Sequence, residues 1–184
     1  MINFTQLSIP DVVLIEPQVF TDDRGFFFES FNQKDFEDAV KGKVNFVQDN
    51  HSSSFFAVLR GLHFQIPPFE QGKLIRVLSG EIFDVAVDIR IRSKTFGKWV
   101  GINLSDKNKK QLWIPPGFAH GFLVLSGKAD IVYKTTNYYA PKFEKCINFN
   151  DPKLNIEWPS INEEIILSDK DKKGIFLSDL NANF

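Results

Sequence analysis

Apolar and polar residues alternate along much of the chain. Between Glu81 and Arg90, Phe83, Val85, Val87 and Ile89 take every second position, and Asp84, Ala86, Asp88 and Arg90 fill the others. That two-residue period predicts a strand with large apolar side chains on a core face and acids on an opposite, polar face. Shorter runs rich in Val, Ile, Leu and Phe recur at 73–78, 98–104, 111–114, 121–125 and 131–136, bounded by Gly, Pro, Asn or Asp. Strands joined by turns, without helical crossovers, predict an antiparallel sandwich or barrel. Pro115-Pro116-Gly117 and Leu78-Ser79-Gly80-Glu81 read as its corners. One short helix is predicted, with Asn32 as its cap, 34–40 as its body and Gly42 as a left-handed terminator. After Asp151 the charges crowd at Glu163, Glu164 and 169–173, which predicts turns and a small helix packed outside the barrel.

Composition narrows this picture. A length of 184 residues with 43% hydrophobic content predicts one domain over 1–184 with a real core. A formal net charge of −1 provides no electrostatic case for nucleic acid or a membrane surface, so any anion must be held locally. The single cysteine, Cys146, has no disulfide partner and no metal-ligand spacing around it. It is expected to be an inert packed thiol in a reducing cytoplasm. Neither a secretory leader nor a spanning helix can be drawn, and a soluble, unprocessed protein is expected. Twenty Phe imply a stiff aromatic core or an exposed aromatic surface awaiting a partner.

Chemistry concentrates in few places, because only three His are present. Arg60-Gly61-Leu62-His63-Phe64-Gln65 places His63 and Gln65 on one strand face and Leu62 and Phe64 on the other, so His63 can enter a cavity. Gly61 is a candidate bulge that lets Arg60 reach the same space. Taken singly, His63 reads rather as a structural imidazole beside surface cations, and His120, between Pro115-Pro116-Gly117 and an apolar strand, rather as a turn residue bonded to backbone. A metal barrel needs three or four ligands. Gln65 stands where a second His would be, and His120 adds only one imidazole without a suitably spaced carboxylate, so no metal is expected. No glycine-rich phosphate loop is present, which leaves side chains such as Arg24, Arg60, Lys73 and Lys170 to hold phosphate. Tyr133 lies on a strand face with Ile131 and Thr135. Tyr138 and Tyr139 precede Pro141 in a loop, where a ring can stack on a planar base.

The stretches 22–30, 46–51, 60–65, 71–76, 80–90, 111–126 and 133–139, ending near 167–171, together resemble the dTDP-4-dehydrorhamnose 3,5-epimerase family. The resemblance implies an all-β, cupin-type double-stranded β-helix (jelly-roll) barrel with a few short peripheral helices. It also implies a homodimer that shares strands between subunits, no metal or organic cofactor, and the substrate dTDP-4-dehydro-6-deoxy-glucose. By that similarity His63 is the base, Tyr133 the acid, Asp171 the group that holds and polarises His63, and Lys73 the neighbour of the keto oxygen. Arg24, Glu29, Gln48, Asn50, Arg60, His120, Glu144 and Lys170 would contact the nucleotide sugar, and Tyr139 would stack on thymine. The chain departs from the family at Lys172-Lys173-Gly174-Ile175, where Pro is usual, so the terminal segment is expected to pack differently. It also departs at Glu70, in place of a small residue, whose side chain is expected to point to solvent. Three readings stand: epimerisation at carbons 3 and 5, a single-site epimerase or ketoisomerase on a related deoxysugar, and a non-catalytic sugar-nucleotide binding barrel.

Overall fold

The computed structural model describes residues 2–181. Its strands are β1 (Asn3–Gln6), β2 (Val13–Glu16), β3 (Phe20–Asp22), β4 (Gly25–Phe27), β5 (Gln48–Phe55), β6 (Leu59–Gln65), β7 (Lys73–Ser79), β8 (Glu81–Asp88), β9 (Trp99–Ser105), β10 (Gln111–Ile114), β11 (Phe118–Val124), β12 (Lys128–Thr135) and β13 (Glu144–Cys146). One α-helix, α1 (Gln33–Val40), precedes β5. A six-stranded sheet runs β1-β2-β10-β7-β12-β5 and a five-stranded sheet runs β13-β6-β11-β8-β9, while β3 and β4 form a separate hairpin. All strand pairs are antiparallel. The two sheets close over one another as the jelly-roll barrel of the cupin type that the resemblance implied.

Alternation along each strand fills this barrel. Leu14, Ile75, Val77, Leu112 and Ile131 of the six-stranded sheet meet Ile82, Ala86, Leu104, Phe122 and Val124 of the five-stranded sheet in one buried cluster. Leu62, Phe64, Val85, Val87 and Ala119 point the other way, and Ile147, Leu154 and Leu177 from the C-terminal segment cover them. On the outer face of the six-stranded sheet, Val13, Ile15, Leu74 and Trp113 receive Phe36 of α1. Phe36 is 2% exposed, and burying such a side chain contributes about 1.5–3 kcal/mol.

Four expectations require correction. First, β8 does not carry a solvated polar face. Asp84 and Asp88 are each 0% exposed, because both faces of the strand are covered, one by the barrel interior and the other by the C-terminal segment. Second, α1 is capped by Asn32, whose side chain accepts from the Lys34 and Asp35 amides, but the left-handed residue at its end is Lys41 (φ 55°), not Gly42. The exposed Lys41 side chain meets little crowding there, and its amide closes the helix on the Glu37 carbonyl. Third, the small helix expected in the C-terminal segment is, among the described residues, a pair of 3-10 turns at Asp171–Lys173 and Leu177–Asp179 and not an α-helix. The turn at Asp171 also packs against β6 and is no mere outer layer. Fourth, Glu70 does not turn wholly to solvent, since its Oε2 is buried without a hydrogen-bond partner. Its loop is pressed onto the protein by the Phe69–Phe143 ring contact at 4.5 Å and by the Gln65 Nε2 bond to the Phe69 carbonyl at 2.6 Å.

Gly61 makes β6 fit. It has φ +128°, and a Cβ there would lie 2.5 Å from the Gly121 Cα and 2.7 Å from the His120 carbonyl oxygen. The register between β6 and β11 shifts at this point. Gly25 has nearly the same φ, +127°, with nothing within 4 Å of its hypothetical Cβ. Gly25→Ala should therefore cost about 1–3 kcal/mol of backbone strain alone. Gly61→Ala should lose about 1–3 kcal/mol more, because β6 and β11 must separate. Equal losses for both variants in urea unfolding would contradict the tight approach.

Candidate active site

The barrel opens on a cavity of about 280 Å³ lined by Gln48, Asn50, His63, Phe64, Gln65, Gln71, Lys73, Tyr133, Tyr139 and Glu144. Strand period decides who enters. His63 and Gln65 are inward residues of β6, Lys73 shares the inward face of β7 with Ile75, and Tyr133 shares that of β12 with Ile131. Since β6 belongs to the five-stranded sheet and β7 and β12 to the six-stranded one, His63 stands on one wall and Tyr133 and Lys73 on the other.

His63 Nε2 lies 2.6 Å from Asp171 Oδ1. Asp171 is 3% exposed. Burial pushes its carboxyl up, but hydrogen bonds from His63, Ser168 and the Gly61 amide outweigh this and hold it below the usual carboxylate range. The carboxylate therefore accepts, and His63 donates to it through Nε2–H. Ser168 Oγ donates to Asp171 Oδ2 at 2.7 Å and accepts from the Asp171 amide at 3.2 Å. Despite its altered sequence at 172–175, the terminal segment is held in place. The Ile175 amide donates to the Cys146 carbonyl at 2.9 Å, and the Asn148 amide donates to the Ile175 carbonyl at 2.8 Å.

Lys73 is buried, its Nζ donates to the His63 carbonyl at 3.3 Å, and burial lowers its pKa to about 8. Burial raises the Tyr133 phenol above its ordinary value, so this hydroxyl keeps its proton at neutral pH. At the rim, Tyr139 donates to Glu144 Oε2 at 2.6 Å and Glu144 pairs with Lys170. Gln48 Nε2 donates to Asn50 Oδ1 at 2.9 Å and accepts through Oε1 from the Tyr139 amide at 3.1 Å.

Not every expected residue lines this cavity. His120 pairs in register with His63 but is 7% exposed and bound to Asp84 Oδ2 at 2.9 Å. Burial lowers its pKa, so it sits behind the cavity as a neutral imidazole. Arg60 is exposed, donates to Ser54 Oγ at 2.9 Å, and acts electrostatically on Tyr133. Lys170 reaches the cavity only through Glu144. Arg24 and Glu29 lie elsewhere: Arg24 pairs with Asp22 on the β3–β4 hairpin, and Glu29 accepts from Asn32.

Other groups were missed or undervalued. Gln65 shares His63's face and secures the tyrosine loop, donating to the Tyr138 carbonyl and accepting from the Ala140 amide at 2.7 Å. Its position in the alternation was the available signal. Ser168, three residues before Asp171, forms a local turn of the Ser-x-x-acid kind that the sequence could have flagged. For Cys146 there was no signal. Its Sγ lies 3.9 Å from Asp171 Oδ1, and burial pushes the thiol up to about 12. Among the described residues, His63, Cys146 and Asp171 form the group whose ligand atoms could hold a metal, all within 4.8 Å of one another.

A second cavity, of about 360 Å³, adjoins the first, sharing Asn50 and Tyr133 and adding Phe31, Arg76, Val132 and Lys134. Comparison with known proteins matches residues 6–179 to the family model described as dTDP-4-dehydrorhamnose 3,5-epimerase. A protein of that name from Shigella flexneri is 62% identical over 172 residues, 94% of each chain. A solved dTDP-6-deoxy-D-glucose-3,5-epimerase from Legionella pneumophila, in complex with dTDP-4-keto-L-rhamnose, superposes with a TM-score of 0.95 at 50% identity, covering 98% of this chain and 95% of that one. A 3'-monoepimerase from Streptomyces bikiniensis, in complex with dTDP-quinovose, is 35% identical with a TM-score of 0.87, covering 94% and 86%. With its model matched over nearly the whole chain and its barrel superposing on solved members, the protein belongs to the dTDP-4-dehydrorhamnose 3,5-epimerase family and is an isomerase, an epimerase by class.

Proposed function

We propose that the chain epimerises dTDP-4-dehydro-6-deoxy-D-glucose at carbons 3 and 5, giving dTDP-4-dehydro-L-rhamnose, with His63 as base and Tyr133 as acid. One observation carries this reading: an imidazole bonded to a buried carboxylate at 2.6 Å and a phenol from the opposite sheet line the same cavity as a buried lysine. A proton beside a ketone leaves readily only if the charge forming on the keto oxygen is stabilised, and a desolvated Lys73 ammonium does that. His63 Nδ1 takes the proton, and Asp171 stabilises the imidazolium. Tyr133 returns a proton to the other face of the carbon, which inverts it. Exchange with solvent then restores both groups before the second carbon reacts, and the cycle requires only protein groups.

Gln48, Asn50, Arg60, Glu144, Lys170 and His120 are proposed to position the nucleotide sugar, with Tyr139 stacking on thymine. Arg24 and Glu29 would serve a second copy of the chain. In support, Phe20, Phe26 and Phe27 on the hairpin bearing Arg24 are 55%, 58% and 71% exposed, an apolar surface that an isologous dimer would cover. Similarity to a 3'-monoepimerase favours, as second reading, reaction at carbon 3 alone.

Four outcomes are expected. In deuterated water, solvent deuterium should enter the keto sugar at carbons 3 and 5. Label at carbon 3 alone selects the second reading, and none at either carbon removes epimerisation altogether. His63→Ala and Tyr133→Phe should each reduce turnover by about 10²–10⁴-fold with dTDP-sugar binding largely kept, and equal loss of binding in calorimetry would indicate a binding module. Because Lys73 must be charged and its pKa is about 8, kcat/KM should fall as pH rises through that value, and Lys73→Arg should move this limb upward. In sedimentation, the wild type should run as a dimer and Phe20→Ser/Phe27→Ser as a monomer.

A further inference from the structure

Three side chains converge behind the cavity. β13 sets Cys146 opposite His63 in the ladder, and the C-terminal turn brings in Asp171. Their donor atoms, an imidazole nitrogen, a sulfur and a carboxylate oxygen, lie within 4.8 Å of one another. These are the ligand types of tetrahedral zinc, and the thiolate and imidazole select against Mg²⁺ and Ca²⁺. Zinc bonds of about 2.0–2.3 Å imply tetrahedral edges of roughly 3.3–3.7 Å between ligand atoms. The His63–Asp171 contact of 2.6 Å must open as the metal replaces the proton, and the Cys146–Asp171 separation of 3.9 Å must close slightly. Both are side-chain adjustments. Ser168, bonded to Asp171 Oδ2 at 2.7 Å, already supplies the outer-sphere support such sites use.

We propose that His63, Cys146 and Asp171 form an inhibitory Zn²⁺ site in which the metal occupies His63 Nε2 and disables the base. Binding releases the thiol proton to solvent and forms Zn–S, Zn–N and Zn–O bonds, leaving a fourth position for water. The imidazole proton that sat on Nε2 moves to Nδ1. Nδ1 then already carries a proton and cannot take one from carbon. No electron is transferred. The inhibition rests on His63 being the base, as proposed above, whereas the binding does not.

The test uses the full chain freed of metal with chelator. One equivalent of Zn²⁺ should bind, reduce deuterium wash-in by about 10²-fold or more, and be reversed by EDTA. Co²⁺ should give a thiolate charge-transfer band. Cys146→Ala and the near-isosteric Cys146→Ser should keep basal exchange, lose the band, and bind Zn²⁺ at least roughly a hundredfold more weakly. Absence of the band in wild type, inhibition of Cys146→Ala at the same Zn²⁺ concentration, or stoichiometric binding without inhibition would each overturn the proposal. If the metal-free protein exchanges no deuterium, the epimerase reading falls on its own, while the cobalt band and the zinc affinities still decide whether the site exists.

Discussion

Asp171 is a carboxylate 3% exposed, 108 residues from the His63 ring it holds. A buried charge is tolerated only when donors surround it, and here they come from two parts of the chain: His63 Nε2 and the Gly61 amide of β6, and Ser168 Oγ of the C-terminal segment. Much of the local architecture follows from meeting that demand. β6 needs a residue at φ +128° that lets β11 approach within contact of its backbone. The C-terminal segment must be tied to β13 through Cys146, Asn148 and Ile175, and its apolar residues must seal the outer face of the five-stranded sheet. Covering that sheet and delivering the carboxylate are one structural act.

The barrel uses one chemical device twice, with different results. His63 and His120 face each other across the β6–β11 ladder, and each has a carboxylate partner. His120 and Asp84 are sealed inside, where desolvation dominates and the imidazole is driven toward its neutral form. His63 is 26% exposed along its side chain and opens onto the cavity. Depth of burial, not residue type, separates a supporting imidazole from one available to a ligand. Lys73 obeys the same physics: burial lowers its pKa to about 8, and the same low-dielectric surroundings strengthen any charge interaction the ammonium makes with a bound oxyanion.

How much of this was legible in the sequence varies with the range of the interaction. Alternation in β7, β8, β10 and β12 was visible because side chains in an extended strand must alternate between faces. The corners at Gly80 and Gly117 were visible because their φ values, 84° and 85°, are ones glycine adopts readily. The facing of His63 and Gln65 followed from the same rule. The β8 acids were misjudged because alternation separates two faces without saying that each is covered. The helix end was misjudged because an exposed lysine at φ 55° terminates it one residue before the glycine.

By itself, then, the sequence determined the strand periodicity, the corners, the helix cap and, through resemblance, the family, all of which depend on local sterics or on residue identity in order. That Asp171 meets His63 was implied only through resemblance, and tertiary structure alone decided that Cys146 lies beside both, that Asp84 is buried under His120, and that Arg24 and Glu29 stand apart from the cavity. Those facts depend on the closure of two sheets and the return of a distant segment. The energy of such contacts is set by desolvation and donor count in three dimensions, quantities to which spacing along the chain gives no access.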